Sequence, residues 1–334
     1  MVEVGVKMNR YKYRVSVITF ICILIIFGVF VWSIFVGQYP LSVDKLLAGD
    51  SMQVRVFSRL RLPRAIMGIV GGFGLGIAGN VYQMVFKNPL ASPDVVGVSS
   101  GASAGAALAI VAFSSSMTVV SFTAFVGAFI TLIITLLVAY LVDGKSSYTI
   151  VLAGIAIHSI VQTFLMFLKL VADPEKQLAS IEYWIMGSLN GISKDSLLIP
   201  ILVTFVGFIV LLILYRQVMI LSIEENEAVS LGVNVTTVRL LILCIATVIV
   251  SSIICTTGLI SFIGLLAPHI ARLITKRNDV YTFVLSGLSG SIILTIADIF
   301  ARSIATTELP VSIFTSLLGA PLLIILLLKK NSGV

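Results

Sequence analysis

Charge is what this sequence has least of. Of its 334 residues 11% are charged and 58% hydrophobic, whereas a soluble domain carries about 25% and 45–50%. Mean hydropathy is +1.13. So little polar surface cannot coat a soluble globule, which excludes a soluble enzyme, a nucleic-acid module and a disordered chain. Cysteine is scarce too: Cys22, Cys244 and Cys255 all lie in apolar segments with no CxxC spacing, so neither a metal site nor a redox pair is expected. Only two histidines are present. No G-x-x-x-x-G-K-[ST] loop occurs. Gly144-Lys145-Ser146 comes nearest, but Ala139 stands where the first glycine must be. The chain has no ATP site of its own and no cofactor is expected in it.

What is present is a series of apolar runs long enough to cross a bilayer, each about 20 residues. No charge interrupts Val95–Val142 or Leu240–Ala271, and each has room for two passes. Single passes fit Val15–Val36, Ala65–Phe86, Ser147–Leu168, Ser196–Tyr215, Val280–Phe300 and Leu309–Leu328. Splitting the long runs at Ser114-Ser115-Ser116 and Thr257-Gly258 predicts an all-α membrane protein of about ten transmembrane helices. The runs are too continuous for barrel strands, which alternate at every second residue.

Val15–Val36 lacks a small-residue cleavage site and reads as a retained first helix. Its leader, with Lys7, Arg10, Lys12 and Arg14, puts the N-terminus in the cytoplasm. Residues 1–14 form a cytoplasmic segment, 15–328 one transmembrane domain and 329–334 a cytoplasmic tail. More Lys and Arg fall inside than outside, by a modest margin. The net charge of +7 therefore reads as helix orientation and not as a nucleic-acid surface. The outer excess sits between Lys45 and Arg64, which suggests that those arginines have a role.

Five blocks carry information. Arg61-Leu62-Pro63-Arg64 precedes a glycine-rich stretch from Gly71 to Gly79. Pro63 suits a helix's first turn, and the glycines permit close helix approach. The arginines either snorkel to headgroups or dock an acidic partner. Asn88–Gly97, with Pro89 and Pro93, reads as a rigid cytoplasmic turn. Glu224-Glu225-Asn226-Glu227-Ala228-Val229-Ser230-Leu231-Gly232 reads as a short cytoplasmic helix, acidic at its start and ended by glycine. It either lies at the interface or plugs into a partner's groove. Around Gly258–Arg272, Pro268 predicts irregular backbone that lines a cavity or is buried, with a structural role for His269. Asp298 and Arg302 are four apart and can pair on one helix face, with Arg302 able to point outward beside Arg61 and Arg64.

Two further patterns have bland explanations as well as sharp ones. Gly97-Val98-Ser99-Ser100-Gly101 matches G-x-S-x-G, but that motif needs a strand before it, and small residues packing helices explain it more simply. On the fifth helix, His158, Gln162 and Lys169 fall close to one stripe, flanked by Ser159 and Thr163. Polar groups in a bundle face a cavity or one another. His158 and Gln162 could line a pathway, and the same stripe supports an alternative reading as a self-sufficient secondary transporter.

The blocks taken in order resemble the FecCD family of permease subunits of ATP-binding-cassette (ABC) importers for iron-siderophores, haem and vitamin B12. The matching stretches include Arg61-Leu62-Pro63-Arg64, Asn88-Pro89-Leu90-Ala91, Gly97–Ala102, Trp184–Leu189, Ile260–Leu265 with Pro268–Arg272, Asp298–Arg302, Glu308-Leu309-Pro310 and Leu318–Pro321. The resemblance implies a type II importer permease fold in a bacterial cell membrane, with both termini cytoplasmic. It implies a second permease subunit, two ATPase subunits and an extracytoplasmic substrate-binding protein. By position, Arg61, Arg64 and Arg302 correspond to the docking arginines. A coupling helix near 218–238, with Glu224, Glu225, Glu227, Ala228, Leu231 and Gly232, corresponds to the ATPase contact. No catalytic or metal residue is implied in this chain.

Overall fold

A computed structural model describes residues 2–113, 116–142, 147–223, 225–305 and 307–331. Among the described residues there is no strand, and fifteen α-helices follow one another. They are α1 (Val2–Phe35), α2 (Val43–Leu47), α3 (Ser51–Val56), α4 (Leu62–Val85), α5 (Val98–Leu108), α6 (Met117–Val142), α7 (Ser147–Val171), α8 (Ala179–Met186), α9 (Lys194–Ile213), α10 (Tyr215–Leu221), α11 (Glu225–Ser230), α12 (Val235–Thr257), α13 (Ile263–Thr275), α14 (Val280–Ala301) and α15 (Val311–Asn331). Seven are long and apolar enough to span a membrane, and three shorter apolar helices, Val98–Phe113, Ile263–Thr275 and Val311–Leu322, complete the expected set.

The spans form an inner and an outer layer. α4, α12 and α14 are mostly buried, while α1, α6, α7 and α9 keep most of their apolar surface outward. Their composition explains the division. α4 carries the glycines of the Gly71–Gly79 stretch, and a Cβ on Gly72 or Gly76 would collide with the backbone carbonyl of Gly290 or Ser286 on α14. Two helices stripped of side chains along facing stripes approach to backbone contact, which is how apolar helices associate without a hydrophobic driving force. Gly101 and Gly105 of α5 meet Gly127 and Thr123 of α6 in the same manner. The G-x-S-x-G match is thus packing surface. It starts a helix after a left-handed Gly97 (φ +79°), with no strand before it.

Proline explains two departures from expectation. The second span does not begin at Pro63. It runs unbroken from Ser51 through a π-turn at Phe57–Arg61. Pro63 has no N–H to close the preceding turn, and a π-turn absorbs the mismatch. Pro268, expected to break its helix, lies inside an intact α13. The irregular backbone falls just before it, at Gly258–Phe262, where Gly258 (φ +71°) and Phe262 (φ +67°) are left-handed.

Other boundaries moved as well. α1 begins at Val2, well before Val15. The sixth span ends at Ile213, and α10 turns off before the short α11. Cys22 and Cys255 are buried and Cys244 half-buried, all as free thiols. The Ser114-Ser115 break, Gly144-Lys145-Ser146 and residues 332–334 lie outside the described residues.

Candidate functional site

Two regions hold the polar groups singled out in the sequence. The first is at one end of the bundle, where α4, α14 and the Glu308-Leu309-Pro310 strap converge. Arg64 Nε donates to Asp298 Oδ1 at 2.9 Å, and its Nη1 donates to Glu308 Oε2 at 2.8 Å. Arg302 Nε lies 3.4 Å from Asp298 Oδ2, an ion pair one helical turn apart. Arg302 Nη2 donates to both the carbonyl and the hydroxyl of Ser33 at 2.6 Å. Arg61 donates to the carbonyls of Val36 and Tyr39. The arginines therefore bind the end of α1 to α4 and α14.

This arrangement corrects the expectation that Arg61, Arg64 and Arg302 project outward. All three are buried, Arg302 to 2% exposure. Each has carbonyl or carboxylate partners within the chain, which a buried guanidinium requires. They line a cavity of about 300 Å³ with Gly37, Tyr39 and Asn190. Three guanidiniums face two carboxylates, and Arg64 Nη2 and Arg302 Nη1 have no hydrogen-bond partner among the described residues. Burial pushes the pKa of Arg302 down to about 10; Asp298 opposes that shift, and Arg64 and Arg61 add to it. Arg302 therefore stays charged at neutral pH. The Asp298–Arg302 pairing was legible from spacing. The Arg64–Asp298 contact, 234 residues apart in sequence, was not. Exposed cations at this end include Lys45, Arg55, Arg59 and Lys194.

The second region is α11 with the turn after it. Ala228 is buried at 1%, Glu227 is exposed and Leu231 is 63% exposed. Gly232 (φ +78°) reverses the chain, and Asn234 caps α12 by accepting the Thr237 N–H at 3.1 Å. Ala228 anchors the short helix while Leu231 and Glu227 face away. Glu224 lies outside the described residues, and Glu225 enters here as backbone only.

The fifth-helix stripe is less organised than its spacing suggested. His158 and Gln162 are half-buried, and His158 Nδ1 is buried without a partner among the described residues. The hydroxyls of Ser159 and Thr163 donate to carbonyls of their own helix at 2.9 Å. Lys169 pairs with Glu182 at 2.9 Å, so it closes α7 onto α8. His269 is half-buried, and the neighbouring Arg272 donates to Gln83, whose Nε2 donates to the Leu265 carbonyl at 3.2 Å. No group of three or more His, Cys, Asp or Glu among the described residues could hold a metal.

Sequence reasoning passed over Asp94. It is exposed, accepts hydrogen bonds from the Ser99 and Ser92 hydroxyls and borders a second cavity of about 290 Å³. The one signal that could have found it was a carboxylate between two helices inside an otherwise apolar region.

Comparison with known proteins fits this architecture. The Fe(3+)-citrate import system permease protein YfmE of Bacillus subtilis is 35% identical, over 96% of this chain and 97% of that one. The molybdate import system permease protein MolB of Haemophilus influenzae is 30% identical, over 90% and 92%. A solved structure described as an inward-facing metal-chelate-type ABC transporter superposes with a TM-score of 0.86. It is 31% identical and covers 94% of this chain and 99% of that one. Residues 22–329 match the FecCD transport family. An all-α bundle with seven membrane-length helices, this ordered motif set and near-complete coverage is an ABC-importer permease, and the chain belongs to the FecCD transport family.

Proposed function

We propose that this permease carries a metal chelate of the iron-siderophore, haem or cobalamin type. A binding protein outside the membrane delivers the cargo, and ATP hydrolysed by separate subunits drives its passage. The observation that carries the reading is α11: a six-residue helix held by Ala228, offering Leu231 and Glu227 to solvent, on a chain with no phosphate-binding loop. An exposed leucine beside acidic residues suits the groove of a partner with an apolar floor and a basic rim.

In this account two copies of the permease, or this chain and a related one, enclose one pathway above two ATPase subunits. Closure of the ATPases moves α11, and α10 and α12 carry that motion into the bundle as a rigid-body shift that changes which side is open. The binding protein docks at the arginine cavity. The surplus of guanidinium over carboxylate there makes the surface above it positive, which attracts the binding protein's acidic residues. His158 and Gln162 stand on a helix beside the pathway.

Leu231→Asp tests the reading. Inserting a carboxylate into an apolar contact costs several kcal/mol of docking. The expected result is loss of ATPase co-purification and a fall in uptake of about 100-fold or more, with the permease still folded by size-exclusion chromatography. Undiminished co-purification would remove α11 as the coupling element.

A further inference from the structure

The cavity beside Asp94 carries an inference beyond the permease role. Its walls come from two irregular segments, Ser92-Pro93-Asp94 and Ile260-Ser261-Phe262, together with Ser99 of α5 and Val250 and Ile254 of α12. Its depth follows from its neighbours. Gly154, seven residues into α7, packs on the Val95 carbonyl, and Gly264 packs beside Gly79, six residues before the end of α4, and beside Pro93. At 1.5 Å per residue, both place Asp94 about 10 Å inside the helix ends. Irregular backbone at membrane depth is tolerated where it is buried in protein or lines a water-filled cavity, and an ionisable residue there marks a route.

The chemistry of the lining is one-sided. Asp94 is exposed to the cavity, its carboxylate accepting from Ser99 and Ser92, both hydroxyl donors. Ser261 adds a third hydroxyl. No lysine or arginine of the described residues forms an ion pair with Asp94. A carboxylate without a counter-cation, between low-dielectric walls, makes the local potential negative. This is the opposite of the arginine cavity at the other end.

We propose that the Asp94 cavity is a charge-selective station on the cargo route. It takes metal chelates that present positive charge or hydrogen-bond donors such as hydroxyls, and it turns away bare tetrahedral oxyanions. The assignment rests on the importer reading for the word cargo.

The test is the reaction of Ser261→Cys, in the full chain in membrane vesicles, with a cationic (trimethylammonium-ethyl) and an anionic (sulfonatoethyl) methanethiosulfonate. Labelling is read at residue 261 by mass spectrometry, which keeps the three native cysteines apart, and each rate is normalised to a free thiol. The cationic reagent is expected to react about ten-fold faster. Asp94→Asn should bring the ratio to about one, and Asp94→Glu should keep it. Equal rates with Asp94 present, an unchanged ratio in Asp94→Asn, or no reaction with either reagent would overturn the proposal. Should Asp94→Asn fail to assemble, the chain with Asp94 intact still decides the matter. Labelling requires neither ATP nor cargo. Its failure therefore leaves the importer reading standing, and a failure of ATP-driven uptake leaves the labelling ratio standing.

Discussion

Asp298→Ala is expected to cost this protein about 3–5 kcal/mol, the penalty for removing one partner of a buried ion pair. At about 2–4 °C per kcal/mol, that is a fall of roughly 6–20 °C in thermal unfolding midpoint in detergent. The cost is large because Asp298 serves two arginines at once. Its side chain is 1% exposed, with Arg64 at 2.9 Å and Arg302 at 3.4 Å. Both guanidiniums already carry unpartnered N–H groups. Removing the carboxylate leaves Arg302 with Ser33 alone and Arg64 with Glu308, whose side chain is 29% exposed. Asp298→Asn keeps an acceptor but no charge and should fall between. Glu308→Gln, at the exposed edge, should cost about 1 kcal/mol or less. A midpoint for Asp298→Ala within 2 °C of the parent (roughly 1 kcal/mol or less on the same scale) would show that the cluster does not hold α4 and α14 together.

Gly79→Val is expected to abolish assembly of the bundle, read as loss of the monodisperse peak in size-exclusion chromatography and loss of uptake. A Cβ on Gly79 would overlap the Gly264 carbonyl of α13. Pro268, four residues on, offers that carbonyl no N–H, so it is free to face the bare Cα of Gly79, a weak C–H···O contact. The obstruction is backbone, which cannot swing aside as a flexible side chain does. Gly79→Ala should then cost about 1–3 kcal/mol and Gly79→Val more. Gly28 of α1, where a Cβ would meet nothing within 4 Å, provides the control. Gly28→Ala should be neutral or slightly stabilising, by at most about 1 kcal/mol, because alanine is the better helix former. Equal behaviour of the two positions would mean that the α4–α13 contact does not limit packing.

Ten apolar runs could be read directly, because bilayer thickness fixes their length and composition. Local spacing gave the Asp298–Arg302 pair and the short helix ended by Gly232. Three things escaped. α2, α3 and α8 are too short for a hydropathy signal. Their marks are local, namely Asp50 capping α3 by accepting the Met52 and Gln53 N–H groups, and Asp173 before Pro174 doing the same for Glu175 and Lys176. The inward turn of Arg61, Arg64 and Arg302 depends on partners from 22 to 269 residues away, and no periodicity encodes such contacts. Asp94 looked like part of a rigid loop because nothing in Asn88–Gly97 reveals that the loop packs back between α4, α7 and α13. Pro268 misled for a different reason. A proline breaks a helix only when the freed carbonyl has no accommodating neighbour, and here glycine supplies one.

The central claim is that this chain is a gate moved by another subunit's nucleotide. The direct measurement is uptake of a ferric chelate into vesicles that hold the permease and its binding protein, with and without the ATPase subunit and ATP. The account predicts uptake only when ATPase and ATP are both present, and none when a protonophore-sensitive gradient is offered in their place. Sustained accumulation by the permease alone would contradict it.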